Sequence, residues 1–221
     1  MTRFYLVRHG RTAANEAGRV MGHEPEPLSA GGREEAAGAA EWLAGEGPFA
    51  RLLTSEMERA RQTGEILASA LGLERGIEPA LNEPAFDGWV GKSVEQLKQD
   101  DPRFGRYLNR PSEVPVEGPL SLRALVARAA RATHRVAGEH PDGQIILVSH
   151  ADILRGIVAS YVGLDLDEMR RLWLDTASVS VLEVDARGGG RLLLLNWRPA
   201  LRRDGAARPR QEFVVAAPPP R

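Results

Sequence analysis

The chain has 221 residues, a length that favours one domain, with or without a tail. It contains no Cys, which excludes disulfides, thiol nucleophiles and Cys-ligated metal sites. Its 29 basic and 30 acidic residues leave a net charge of −1, so we expect neither nucleic acid nor an anionic membrane as a partner. The longest aliphatic runs are too short to span a bilayer and the first residues lack a signal-peptide pattern, so we expect a cytoplasmic protein.

Short apolar runs alternate along the chain with longer segments of helical period, which predicts an α/β fold. Residues 4–7 and 50–54 read as the first two strands. Ser29 is placed to cap a helix whose small apolar residues share one face. Residues 55–58, Ser-Glu-Met-Glu, have the pattern of a capping box and predict a second helix with that serine as its N-cap.

The second half of the chain begins with an irregular, proline-containing segment, residues 81–119. We interpret this segment as a small helical insertion over one end of the sheet. A long amphipathic helix follows over residues 122–140, and then a buried strand over residues 144–149. Two further strands, at residues 178–184 and 191–197, are joined by a glycine run and predict a β-hairpin at the sheet edge.

Together these elements predict a three-layer α/β/α sandwich with a mostly parallel sheet, an antiparallel edge strand and a small helical insertion over the active site. Residues 1–200 would form the single catalytic domain. Residues 201–221 are rich in Arg, Ala and Pro, which predicts a flexible tail. The edge hairpin and the apolar residues 213–215 are candidate contacts for a homodimer, and the sequence does not decide whether one forms.

Polar side chains follow three of the predicted strands. Arg8 and His9 end the first strand. Arg59 lies in the first turn of the helix after the second strand, and His150 follows the strand at residues 144–149. Because ligands bind at the carboxyl ends of parallel strands, we expect these side chains to share one rim of the sheet. Guanidinium groups and helix N-termini match phosphate geometry, so the sequence predicts an anion pocket.

The order of these motifs resembles that of the histidine phosphatase superfamily, the phosphoglycerate-mutase-like enzymes. The resemblance covers residues 3–197, nearly the whole chain. Single motifs such as Arg-His-Gly are weak signals, whereas the ordered set is specific. The matching segments are residues 6–12 (LVRHGRT), 54–63 (TSEMERARQT), 81–91 (LNEPAFDGWVG), 148–150 (VSH) and 177–179 (ASV).

The resemblance implies phosphoryl chemistry that requires neither a metal nor a cofactor. His9 would be the nucleophile that forms a phosphohistidine, and two flanking arginines would lower its pKa and keep the imidazole neutral. Arg8 and Arg59 would neutralise the phosphoryl oxygens. His150, as a cation, would stabilise the same oxygens.

Glu83 is the general acid and base that the resemblance implies. It would protonate the leaving oxygen and then activate water to hydrolyse the phosphohistidine. Glu78 is a neighbouring carboxylate and the alternative for this role. The substrate-binding set implied by the resemblance is Arg8, Asn15, Gly22, Arg59, His150 and Ala151.

The segment after His150 departs from the family pattern, which commonly has Gly directly after this histidine. Here Ala151 and Asp152 follow. Ala151 keeps the backbone N–H that a phosphate needs. We expect Asp152 to cap the following helix, with Arg155 as its partner three residues on. The alternative is that Asp152 contacts the leaving group of the substrate.

Phosphatases and mutases of this family share the pocket and differ in the acceptor that attacks the phosphohistidine. Glu83 is followed by Pro-Ala-Phe-Asp-Gly and lacks the basic cluster that is common in cofactor-dependent mutases. This favours a phosphatase acting on a small phosphorylated metabolite. A phosphoglycerate mutase and a catalytically idle phosphoester-binding module on the same fold remain as alternatives.

Overall fold

The computed structural model describes residues 1–198, so the tail predicted for residues 201–221 lies outside the described residues. The strands are β1 (Thr2–Arg8), β2 (Arg51–Thr54), β3 (Arg75–Ile77), β4 (Pro115–Glu117), β5 (Leu120–Ser121), β6 (Gln144–Ser149), β7 (Val179–Val184) and β8 (Gly190–Trp197). Six of them form one sheet in the order β3-β2-β6-β1-β7-β8, and β4 and β5 form a separate pair.

The main sheet is mostly parallel, as predicted. β3, β2, β6 and β1 run in the same direction, whereas β7 is antiparallel to both β1 and β8. The β7–β8 hairpin therefore forms the predicted edge of the sheet. The register pairs Arg8 with Ser149 and Thr54 with Val148, so the carboxyl ends of β1, β2 and β6 lie side by side.

Helices cover both faces of this sheet. They are α1 (Ala13–Glu16), α2 (Ala30–Ala44), α3 (Glu58–Leu71), α4 (Val94–Asp100), α5 (Pro102–Asn109), α6 (Leu122–Glu139) and α7 (Ala151–Val162). Short 3₁₀ turns cover Pro79–Leu81 and Leu166–Arg171. No helix within residues 1–198 combines the length and apolar character needed to cross a membrane.

The alternation of side chains along β1 explains the two core layers. Phe4 and Leu6 pack into the cluster that includes residues of α6 and α7, whereas Tyr5 and Val7 pack into the cluster that includes residues of α2 and α3. Successive side chains of a strand point to opposite faces, so an all-apolar strand needs cover on both sides. The predicted three-layer sandwich is thereby confirmed.

One of the two predicted N-cap serines is confirmed. Ser29 Oγ accepts a hydrogen bond from Gly32 N–H (3.2 Å) at the start of α2. Within the insertion, Ser93 forms a capping box with Gln96 at the start of α4. The capping box predicted at residues 55–58 is wrong. α3 begins at Glu58 with Met57 as its N-cap, because the buried Ser55 hydroxyl contacts His150.

The predicted insertion is present, and its aromatic residues form one group within the larger hydrophobic cluster over one face of the sheet. The Trp89 ring meets the ring of Phe104 edge-on at 5.0 Å and lies 5.2 Å from that of Tyr107. Trp89 Nε1–H also donates to Asp101 at the start of α5 (2.7 Å). The β4–β5 pair at the end of this segment and the short edge strand β3 were not predicted from the sequence.

Candidate active site

The predicted polar residues meet at the carboxyl ends of β1, β2 and β6. His9 follows β1, and its backbone N–H donates to Ser149 C=O at the end of β6 (2.9 Å). Ser55 follows β2, and its backbone N–H donates to Val148 C=O (3.1 Å). These bonds extend the ladders of the parallel strands by one residue each. The sheet register thus sets the spacing of the residues that follow the three strands.

His9 is held as a neutral imidazole. It is 1% exposed, and its Nδ1 lies 2.8 Å from the Gly10 carbonyl oxygen, which can only accept a hydrogen bond. Nδ1 therefore carries the hydrogen, and Nε2 carries the lone pair. Burial lowers the pKa of His9 well below its ordinary value, and the charges of Arg59 and Arg8 lower it further. A neutral ring with a free Nε2 is the form that can attack phosphorus.

The loop after His9 is fixed by close backbone packing. A Cβ on Gly10 would lie 2.4 Å from Gly32 C=O, so the loop reaches the start of α2 only because residue 10 is glycine. The backbone N–H of Gly10 donates to Thr63 Oγ1 on α3 (3.0 Å). The ring of His9 is thus oriented by backbone and helix contacts on either side.

Arg59 is the most completely enclosed cation of the site. It is 0% exposed, and its Nη2 donates to Gly22 C=O (2.7 Å) and to Glu83 Oε2 (2.6 Å). Gly22 has φ +53°, and a Cβ there would lie 2.2 Å from Ala85 C=O. The predicted substrate-binding residue Gly22 thus orients Arg59 through its carbonyl and holds the acid-bearing loop close.

Arg8 supplies a second cation, which is half-buried and has a buried Nε. Its Nη1 donates to Leu174 C=O (2.8 Å) in the loop before β7. Burial lowers the pKa of Arg8 to about 10, and the nearby charge of Arg155 acts in the same direction. Arg8 therefore stays charged near neutral pH, in surroundings that favour the arrival of an anion.

His150 follows β6 at the N-cap position of α7 and is fully buried. Its Nε2 lies 2.8 Å from Ser55 Oγ, which also accepts from Met57 N–H (3.3 Å). A hydroxyl that accepts one hydrogen bond still has its own proton to donate, and donation to Nε2 leaves the ring hydrogen on Nδ1. The ring centroids of His150 and His9 are 5.2 Å apart.

The charge state expected for His150 is not the one that this structure supports. Burial lowers the pKa of His150 well below its ordinary value, and the charges of Arg59 and Arg8 act in the same direction. The ring is therefore neutral near pH 7 rather than cationic. A phosphate dianion close to the ring would raise this pKa again, because it favours the charged form.

Glu83 is the carboxylate that the fold brings to the pocket. Its Oε2 bonds Arg59 and lies 3.6 Å from His150 Nδ1. Burial raises the pKa of Glu83 above its ordinary value, and the Arg59 charge offsets only part of this effect. Glu78 instead pairs with Arg135 on α6 and caps the 3₁₀ turn at Pro79–Leu81.

Asn15 and Ala151 occupy different positions relative to the pocket. Asn15 Oδ1 accepts from Thr12 N–H (3.1 Å), which makes a capping box at the start of α1. Ala151 is the first residue of α7, and it is not among the residues with positive φ. Its N–H therefore belongs to the helix N-terminus that follows His150, where backbone donors favour an anion.

Three buried donors of this pocket have no hydrogen-bond partner among the described residues. They are Nε of Arg8, Nε of Arg59 and Nδ1 of His150. Each unmet buried donor carries a penalty of about 1–3 kcal/mol, which an anion with several acceptor oxygens would relieve. Within residues 1–198, no group of three or more His, Asp or Glu side chains is arranged to hold a metal ion. The donor set is thus suited to a phosphoryl group.

Asp152 does not cap α7, because His150 occupies the N-cap position. The predicted partnership with Arg155 is present, with 3.0 Å between Arg155 Nη1 and Asp152 Oδ1. Asp152 Oδ2 also lies 3.3 Å from Arg170 Nη2 and accepts a hydrogen bond from the Tyr107 hydroxyl. Tyr107 and Arg170 were not predicted from the sequence, because they belong to no motif and lie 45 and 18 residues from Asp152 along the chain.

Ser55 and His23 were not assigned to the site from the sequence. The sequence pattern at residues 55–58 indicates a helix cap, whereas in the structure the buried Ser55 hydroxyl contacts His150. His23 Nε2 lies 2.7 Å from the backbone carbonyl of Glu83, so this histidine fixes the acid-bearing loop. Its position in a polar loop gave no signal of that contact.

The geometry agrees with a comparison against known families. A family model described as histidine phosphatase superfamily, branch 1, matches residues 4–198. This match covers most of the chain, so the chain belongs to the histidine phosphatase superfamily.

The individual relatives include phosphatases. The chain is 30% identical to the adenosylcobalamin/alpha-ribazole phosphatase of Escherichia coli, over 84% of this chain and 91% of that protein. It is 28% identical to phosphoserine phosphatase 1 of Hydrogenobacter thermophilus, over 85% of this chain and 89% of that protein. A crystal structure of a putative alpha-ribazole-5'-P phosphatase from Escherichia coli superposes with a TM-score of 0.77 at 29% identity, over 89% and 96% of the two chains.

Some relatives are longer proteins. The chain spans 54% of the length of the mycobacterial curated relatives that it matches, at 28% identity. One of these is a bifunctional protein of Mycobacterium tuberculosis.

Proposed function

We propose that this chain is a phosphatase that hydrolyses a small phosphomonoester through a phosphohistidine on His9. The observation that carries the proposal is the state of His9, a neutral ring with a free Nε2 beside two buried guanidinium groups. We also infer that the substrate is a small phosphorylated metabolite met in the cytoplasm. Family membership and the phosphatases among the relatives support the reaction class.

In the first step, His9 Nε2 forms a bond to phosphorus while the bond from phosphorus to the leaving oxygen breaks. The carboxyl proton of Glu83 passes to that oxygen, which departs as an alcohol. The raised pKa of Glu83 supports this role, because it keeps the carboxyl group protonated closer to neutral pH.

In the second step, the oxygen of a water molecule forms a bond to phosphorus while the bond to His9 Nε2 breaks. The Glu83 carboxylate takes a proton from that water and regains its starting state. Inorganic phosphate leaves, and His9 is again neutral. Water is the acceptor in this scheme, which distinguishes the proposed phosphatase from a mutase.

Electrostatic stabilisation comes from the arginines and from the N-terminus of α7. In a loose phosphoryl-transfer transition state, negative charge lies on the three non-bridging oxygens. The buried Nε–H groups of Arg8 and Arg59 have no hydrogen-bond partner among residues 1–198, and this supports their proposed role in binding such oxygens. A neutral His150 can contribute its Nδ1–H as a donor, so the role proposed for it does not require a cation.

The test measures phosphate release from a panel of phosphomonoesters in the presence of EDTA. We expect metal-independent turnover, and we expect His9→Ala to lower it by about 10⁴-fold or more. His134→Ala is the matched control, because His134 is exposed on α6. A rapid-quench experiment with radiolabelled substrate should label the unsubstituted protein and leave His9→Ala unlabelled.

Three other outcomes would contradict the proposal. Full activity in His9→Ala would exclude the phosphohistidine. Labelling of His9 followed by transfer to an added alcohol, with little release of phosphate, would identify a mutase. Binding of phosphomonoesters with neither labelling nor turnover would identify an idle binding module.

A further inference from the structure

One buried carboxylate outside the family motifs joins three separate segments of the chain. Asp152 belongs to the first turn of α7, Arg170 to the 3₁₀ turn Leu166–Arg171, and Tyr107 to α5 of the insertion. The side chains of Asp152, Arg155 and Arg170 are 11%, 8% and 14% exposed, and Tyr107 is 2% exposed. The function proposed above does not use this cluster.

The cluster is poorly explained as a source of stability. Two buried guanidinium groups share one carboxylate, and Arg170 Nε is buried with no hydrogen-bond partner among the described residues. Desolvation of such charges offsets much or all of their attraction, so a buried ion pair is weak evidence for stabilisation. A geometric role explains the arrangement better, because directional bonds fix the relative positions of the segments that they join.

The bond between Tyr107 and Asp152 is the contact that links the insertion to the helix behind His150. Burial raises the pKa of Tyr107 well above its ordinary value, and the charge of Asp152 raises it further. The hydroxyl therefore keeps its proton and remains a donor. The guanidinium group of Arg170 lies 4.7 Å from the centroid of the Tyr107 ring, which holds the ring from a second side.

The position of Tyr107 is transmitted to the loop that carries Glu83. The Tyr107 ring meets the ring of Phe86 at 5.7 Å in an edge-on contact, and Phe86 stands three residues after Glu83. Phe86 has φ +54°, an unfavourable backbone conformation for a bulky residue, so its packing must hold it in place. A path of direct contacts thus runs from Asp152 through Tyr107 and Phe86 to the acid-bearing loop.

We propose that Asp152 and Tyr107 are positioning residues that hold the insertion so that Glu83 faces the leaving oxygen. This inference rests on the function proposed above, in which Glu83 is the general acid. Loss of the Tyr107–Asp152 bond then impairs the step that needs the acid. It leaves the phosphoryl pocket of His9 and Arg59 intact.

The test compares Tyr107→Phe with the matched variant Tyr161→Phe. The Tyr161 hydroxyl donates to Ala130 C=O (3.1 Å) between α7 and α6, away from the insertion. Two substrates are used, nitrophenyl phosphate, whose leaving group needs little protonation, and glycerol phosphate, whose leaving group needs an acid. We expect Tyr107→Phe to lower the rate constant of the first turnover by about tenfold on glycerol phosphate and by less than about twofold on nitrophenyl phosphate. Tyr161→Phe should change neither.

A general loss of structure would lower both rates together, so equal losses on the two substrates would overturn the proposal. Unchanged rates in Tyr107→Phe would overturn it as well. Asp152→Ala, which removes the acceptor, should show the same dependence on the leaving group, and the double variant should be no slower than Asp152→Ala alone, because both changes remove the same hydrogen bond. Additive losses would mean that the two residues act separately.

The outcomes also separate this inference from the proposed function. If the unsubstituted protein releases phosphate and labels His9 while Tyr107→Phe is normal, only the positioning role fails. If the unsubstituted protein neither turns over nor becomes labelled, the phosphatase proposal fails and the positioning role fails with it.

Discussion

The two sides of the site are built in different ways. On the phosphoryl side, His9, Arg59 and His150 follow adjacent parallel strands or lie in the first turn of the next helix. On the leaving-group side, Glu83 and Tyr107 belong to an insertion whose aromatic residues join the hydrophobic cluster over one face of the sheet, and hydrogen bonds connect the insertion to α3 and α7.

This difference separates chemistry from selectivity. Sheet register and short backbone hydrogen bonds fix the phosphoryl side, so its geometry can be shared by enzymes with different substrates. The insertion can change its sequence and its contacts without disturbing that register. We therefore expect substitutions on the phosphoryl side to slow all substrates alike and substitutions on the other side to act according to the leaving group.

The largest effect in this comparison should come from Arg59→Ala. Arg59 is fully buried, holds Glu83 and has a buried Nε with no hydrogen-bond partner in the described part of the chain. Loss of a cation that stabilises the phosphoryl transition state lowers kcat by about 10³-fold or more, so we expect a loss of this size on every phosphomonoester. Steady-state rates on nitrophenyl phosphate and on glycerol phosphate test this.

Arg61→Ala is the matched control for that experiment. Arg61 lies two residues further along α3 and is exposed, so its removal should leave kcat and KM within about twofold. A loss confined to substrates with poor leaving groups would show that Arg59 acts mainly by holding Glu83.

The phosphoryl side and the central strands could be predicted from the sequence because their patterns are local. The apolar strands β1 and β6 are followed directly by Arg8-His9 and His150, and strand ends of a parallel sheet share one edge. β3 could not be predicted, because its three residues, Arg75–Ile77, include a glycine and show no apolar alternation. It forms only because β2 offers an edge to pair with.

The leaving-group side was less accessible to prediction because its contacts are long-range. The family motif predicts Glu83, but two contacts of this side have no local signal. His23 and Glu83 are 60 residues apart along the chain, and Tyr107 and Asp152 are 45 residues apart. Ser55 was misread for a related reason. The local pattern at residues 55–58 fits a capping box, but the tertiary contact with His150 decides the outcome.

The next largest effect should come from Glu83→Gln, which tests whether acid catalysis belongs to the leaving-group side. The amide cannot donate a carboxyl proton, so we expect the rate constant of the first turnover on glycerol phosphate to fall by about 10²-fold or more. The loss on nitrophenyl phosphate should be smaller, and the phosphohistidine should accumulate because its hydrolysis also needs Glu83. Rapid-quench measurements of both substrates separate the two steps.

Glu78→Gln serves as the control, since Glu78 pairs with Arg135 outside the pocket. Equal first-turnover losses on both substrates in Glu83→Gln would contradict the assignment of Glu83 as the acid. A loss in Glu78→Gln that depends on the leaving group would move the acid role to Glu78.

The smallest effect concerns stability, and it tests the neutral state of the phosphoryl side directly. Burial lowers the pKa values of His9 and His150 in the folded protein, whereas unfolded histidine titrates near pH 6.5. Below that pH the unfolded chain binds protons that the folded protein does not bind. The free energy of unfolding therefore falls with falling pH, by up to about 1.4 kcal/mol per pH unit for each histidine.

His150→Asn should remove one of these contributions. Denaturant unfolding of the variant should be measured between about pH 7 and about pH 5.5. The free energy of unfolding should depend less steeply on pH, by up to about 1.4 kcal/mol per pH unit, which corresponds to one proton. Glu83 acts with the opposite sign, because its pKa is raised and the folded state binds the extra proton, but its contribution remains in both proteins. A slope equal to that of the unsubstituted protein would mean that His150 binds protons to the same extent in the folded and unfolded states, so that folding does not lower its pKa. The cation expected from the sequence would then be accessible to the folded protein near the ordinary pKa of histidine.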